Sequence, residues 1–163
     1  MNIKGIKKYI ERTFNIKSTY GGEFEYNYED EVVTFTDMNT DTTDEVYRAY
    51  VLERFGYKIE HPFAFSVLHE LGHCFNNDWN YGPFKEFDYD NTVSNFCVEQ
   101  KKEVDKLLKE AETKPNYVEL YKKILFERYF NLPDEIMATD WAIKYAKRHL
   151  KVLDDLEKLS VDI

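Results

Sequence analysis

Five residues constrain this chain more than any others: His69-Glu70-Leu71-Gly72-His73. Two histidines four apart on an α-helix project from one face, about one turn from each other. Both imidazoles can then reach a single metal ion. Glu70 follows the first histidine and leans to the side where a metal-held water would lie. Zinc lowers the pKa of such a water from ~15.7 to roughly 7, and a carboxylate can take its proton. A metal hydrolase needs these groups at this spacing.

The flanking residues favour a buried metal helix over an accidental match. Ser66, Val67, Leu68, Leu71, Gly72, Cys74 and Phe75 are all uncharged. An unpaired charge close to a metal in a cleft would be costly to desolvate. Gly72 costs about 1 kcal/mol of helix propensity relative to Ala. Its presence predicts that something packs closely against that turn.

At 163 residues the chain reads as one domain, with a hydrophobic fraction of 43% that can build a core. Net charge is −9. That disfavours nucleic-acid binding, which needs a positive field. The two cysteines, Cys74 and Cys97, do not make a disulfide framework. Cys74 reads as a small buried hydrophobe pointing away from the His69/His73 face. No apolar run approaches the ~18 residues of a membrane span. The N-terminal stretch lacks a signal-peptide pattern, and the chain ends without a lipidation motif. The expectation is a cytoplasmic protein with no membrane association; oligomeric state is left open.

The pattern along the chain predicts an α+β fold, mostly helical, with a small antiparallel sheet ahead of the motif helix. Ile3, Ile6, Ile10 and Phe14 follow a helical period. Residues 23–28 alternate polar and aromatic, and 31–36 are β-branched, which reads as a hairpin. Thr42 with Glu45 fits a capping box for a helix ending at Gly56. Pro62 suits the first position of the motif helix, about 62–76. His61, eight residues before His69, is a poor ligand and reads as a surface or capping histidine.

Residues 77–95 read as a long loop, in which Trp79, Tyr81, Phe84, Phe87 and Tyr89 would either line a cleft or sit as a lid. The rest, about 96–160, reads as helices: 97–112, one started by Lys114-Pro115 and continuing through Tyr129, 133–149 and 150–159. The sheet-containing part covers about 1–60.

A catalytic zinc takes about three protein ligands and keeps one position for water. The motif supplies two. One class of zinc proteins takes the third from six residues after the second histidine. Trp79 occupies that position here and Asn76 replaces the glycine of that pattern, so the class is excluded. Three carboxylates remain. Asp78 is off that register by one. Glu99 lies in a segment charged on every side. Glu135 shares a helix face with Ala138, Thr139 and Ala142, at i, i+3, i+4 and i+7. That small-residue face can pack tightly on another helix and bring a carboxylate to the metal, with Gly72 as the matching surface. Glu135 is also a favourable first-turn acid for the helix dipole. Asp140 reads either as a residue orienting a ligand histidine or as a surface acid.

His-Glu-Leu-Gly-His followed by a helix carrying Glu135, Ala138, Asp140 and Ala142 resembles the gluzincin-type zinc metallopeptidases. It is most similar to the small intracellular ImmA/IrrE-like and phage-encoded members. The resemblance covers the motif helix and residues 135–142, with a loosely similar helix-then-hairpin lead-in. Directly after the alanine, where that family usually has Asn or Asp, this chain has Thr139.

The resemblance implies a zincin-like fold, zinc held by His69, His73 and Glu135, and Glu70 as general base. The implied activity is hydrolysis of a peptide bond in a protein or peptide substrate. The alternative is a catalytically silent zincin-like protein that binds a partner protein.

Overall fold

The structure, a computed structural model, describes residues 1–38, 42–75 and 94–162. The side chains of residue 42 and of 94–97 stand outside that description. The described chain contains helices α1 (Ile3–Phe14), α2 (Thr42–Phe55), α3 (Pro62–Phe75), α4 (Ser94–Ala111), α5 (Tyr117–Ile124), α6 (Pro133–Arg148) and α7 (Leu150–Val161). Its strands are β1 (Lys17–Tyr20), β2 (Glu25–Asn27) and β3 (Val32–Phe35). The fold is therefore α+β and mostly helical. No helix among the described residues is long and apolar enough to cross a membrane.

The sheet differs from expectation. It is mixed, in the order β1-β3-β2. The hairpin is present, with Tyr26 opposite Val33 in the antiparallel β2–β3 pair. Lys-Ser-Thr-Tyr then adds β1, parallel to β3, with Ser18 opposite Val33. Only Ser18 of those four residues is buried. The segment therefore lacks the alternating apolar signal by which a strand is recognised. β3 runs between the other two strands and buries Val33 and Phe35 completely.

The chain groups into two compact units. The first takes Met1–Asn39, Ile59–Asn76 and Ala138–Ile163. Its central element is α3, in which Phe63, Ala64, Phe65, Val67, Leu68, His69, Leu71 and Gly72 are all buried. A helix apolar nearly all round must be covered on most sides. Around it the same unit buries Ile6 and Ile10 of α1, Ala142 and Ala146 of α6, and Leu153 and Leu156 of α7. Phe63 meets the edges of Phe24 and Phe35, with ring centroids 5.8 and 6.3 Å apart.

The N-terminus of α3 is closed by α7. The Ala64 N–H donates to the Glu157 carboxylate at 2.9 Å, and His61 pairs with Asp154 at 2.8 Å. This satisfies an otherwise unpaired first-turn donor. His61 is thus a structural histidine, as its spacing suggested.

The second unit takes Thr40–Lys58 and Asn77–Met137. Its aromatic cluster gathers on Tyr50, which lies 5.5 Å from Phe126 and 5.3 Å from Phe130 between ring centroids. The Tyr50 hydroxyl donates to Asn131 at 2.7 Å. α2 ends at Gly56, whose φ of +64° is left-handed and natural for glycine. The helix expected from Lys114-Pro115 through Tyr129 is in fact α5 followed by a π-helical turn, Leu125–Tyr129. An extra residue in that turn shifts the side-chain faces relative to a regular helix. The Thr42 capping side chain lies outside the described residues.

Candidate metal centre

α3 sets the two histidines on one face, as its spacing requires. Their ring centroids are 5.0 Å apart and nearly perpendicular, at 85°. His69, Glu70 and His73 each present a ligand-type atom, and these atoms lie within 4.8 Å of one another. His69 is 8% exposed; Glu70 and His73 are half-buried. Two imidazoles and a carboxylate converging this closely form a group that could hold a metal ion.

Each imidazole is held by a hydroxyl on its Nδ1 atom. Thr139 Oγ1 lies 3.3 Å from His69 Nδ1. The Tyr28 hydroxyl lies 3.2 Å from His73 Nδ1. An imidazole that gives its Nδ1–H to an oxygen turns the lone pair of Nε2 towards a metal. The two contacts engage the same nitrogen, Nδ1, at both rings.

The close packing expected at Gly72 is present. A Cβ built on Gly72 would stand 2.5 Å from the Ala138 carbonyl oxygen and 2.8 Å from its Cα. Only a glycine lets the α6 backbone come so near to α3. The next residue, Thr139, is 1% exposed and reaches His69 because of that approach.

Asp140 does not play the orienting role that was one of its two readings. It pairs with Lys144 at 2.7 Å. Thr139, its neighbour, makes the histidine contact instead. The physical reason is angular: successive helical residues point about 100° apart, and Thr139 shares the inward face of Ala138 and Ala142. That face was visible in the sequence, so Thr139 was within reach of the sequence reading. Tyr28 was not, because nothing local ties a hairpin tip to a helix 45 residues later.

Glu135 is half-buried in the first turn of α6, four residues before Thr139 and three before Ala138. Glu99 pairs with Lys102 at 3.2 Å, with its side chain 72% exposed, which is a solvated helix face. Asp78 and the aromatics Trp79, Tyr81, Phe84, Phe87 and Tyr89 lie outside the described residues. Cys74 is a free thiol and half-buried, where a small buried hydrophobe was expected. It meets the Tyr26 hydroxyl. Burial first, and the Cys74 contact second, push the Tyr26 phenol well above its ordinary range.

No family model, no curated protein and no solved structure matches this chain.

Proposed function

We propose that this protein is a zinc-dependent peptidase that cleaves peptide bonds in a protein or peptide substrate. The observation that carries the reading is the donor set on α3: His69 and His73 on one face, each with a hydroxyl on Nδ1, and Glu70 within 4.8 Å. His69 and His73 would hold the ion through Nε2. Glu135 is the proposed third ligand. It precedes Thr139 by one turn on the same helix. The likeness to gluzincin-type peptidases assigns the same three residues.

Zinc, when bound, supplies a Lewis acid that polarises a carbonyl and makes water acidic at neutral pH. The remaining work falls to the chain. Glu70 takes a proton from the attacking water and returns it to the departing amine. The Leu68, Leu71 and Gly72 surroundings limit water around the histidines. We place the protein in the cytoplasm, where a free Cys74 thiol stays reduced.

Glu70→Gln tests the reading, because it keeps the shape of the side chain and removes the base. The variant and the unaltered protein should each bind one zinc per chain. Its cleavage of a peptide library should fall by about 10²–10⁴-fold. Full cleavage by the variant would defeat the assignment.

A further inference from the structure

We propose that Tyr28 is a positioning residue that fixes the ring of His73 for metal binding, so that the tip of the β2–β3 hairpin sets the affinity of the centre. The inference rests on the metal reading above.

The two histidines are supported unequally. His69 lies in the middle of α3, is buried, and is held by the buried Thr139. His73 lies two residues from the end of α3 and is half-buried. Its hydroxyl contact comes from the hairpin. There Tyr28 approaches with its hydroxyl 3.2 Å from Nδ1 and its ring edge-on, at 72° to the imidazole. A hydroxyl engaged on Nδ1 restrains the ring against flipping, a restraint that would present Nε2 to a metal.

The hairpin tip is built to present that hydroxyl. Asn27 Oδ1 accepts the N–H groups of both Glu29 and Asp30 at 2.9 Å, which ties the turn behind Tyr28. Glu31 then takes a left-handed φ of 53°, a conformation rare for a glutamate. Tyr26 closes towards Tyr28, the first residue after β2. Their rings meet edge to face at 4.9 Å. Tyr26 reaches Cys74 and Tyr28 reaches the adjacent His73, so the pair grips the last turn of α3.

Packing does not explain Tyr28. It is 62% exposed, far more than a side chain kept for burial. The same exposure makes its hydroxyl separable from folding.

The experiment compares Tyr28→Phe, Tyr26→Phe and the unaltered protein. Zinc affinity is measured by competition with a chromophoric chelator, and the melting temperature is measured on metal-free samples. Cobalt(II) substituted for zinc reports ligand geometry through its visible spectrum. Tyr28→Phe should lose about tenfold or more in zinc affinity, the scale typical of partners behind a ligand histidine. Its cobalt spectrum should change and its metal-free melting temperature should not. Tyr26→Phe, altered in the same hairpin, should keep its affinity. Unchanged zinc affinity in Tyr28→Phe overturns the inference and leaves the peptidase reading standing. An equal loss in Tyr26→Phe also overturns it, because the effect then belongs to the hairpin as a whole. Failure of the unaltered protein to bind zinc overturns both readings.

Discussion

Gly72 illustrates how one missing Cβ decides the geometry of the centre. Replacing it with alanine gains about 1 kcal/mol of helix propensity. Against that, the new methyl would stand 2.5 Å from the Ala138 carbonyl oxygen, a backbone atom that cannot swing aside. α6 must move away from α3. Overpacking of this kind costs about 1–3 kcal/mol, so Gly72→Ala should be net destabilising in urea unfolding of the metal-free protein. The same displacement lengthens the 3.3 Å contact between Thr139 and His69, so zinc affinity should fall with it. Equal or greater stability in the alanine variant would show that the two helices accommodate the methyl. Glycine at this position was informative in the sequence because it was expensive for a helix. The consequence for Thr139 was not, since it depends on which residue of the partner helix faces the gap.

Among the elements, the helices were legible and the sheet only partly so. α1, α3, α6 and α7 declare themselves by apolar positions at helical spacing, by Pro62 and Pro133 at their starts, and by lengths that leave few alternatives. β1 carries one buried residue in four, so its parallel pairing with β3 comes from tertiary packing and not from its own pattern. The π-helical turn after α5 likewise has no local signature. Element docking also leaves a mark on pH dependence. The Tyr9 hydroxyl of α1 donates to Asp155 of α7 at 3.0 Å. Burial, and then that bond to a carboxylate, push the Tyr9 phenol up to about 12. A folded-state pKa above the unfolded value near 10 means that ionisation opposes folding. Stability from this pair is present below pH 10 and is lost as pH rises towards 12. Tyr20, Tyr26 and Tyr145 are also raised. Tyr9→Phe should therefore shrink, not abolish, the loss of stability between pH 10 and 12, as followed by chemical denaturation at each pH. An identical alkaline profile in the variant would show that the Tyr9–Asp155 contact contributes nothing there.

At the scale of the whole molecule, a bound metal and folding are thermodynamically linked. A ligand that binds only the folded chain stabilises it by about 2.7 kcal/mol at a hundred times its dissociation constant. Zinc should therefore raise the melting temperature, and a chelator should reverse the rise. A net charge of −9 complicates the measurement, because surface carboxylates also attract divalent cations. The two effects separate by stoichiometry and by salt: a specific site saturates at one zinc per chain and persists at high ionic strength, whereas diffuse attraction is screened. The third ligand can be tested on the same footing. Glu135→Gln removes a carboxylate while keeping its shape, and should reduce the zinc-dependent rise in melting temperature while leaving the metal-free protein nearly unchanged. Glu99→Gln, at an exposed residue paired with Lys102, should leave the rise intact. If the rise survives Glu135→Gln and not Glu99→Gln, the ligand lies on α4 and the small-residue face of α6 serves packing alone. If it survives both, neither carboxylate is the ligand, and Asp78 is the remaining candidate that the sequence offers.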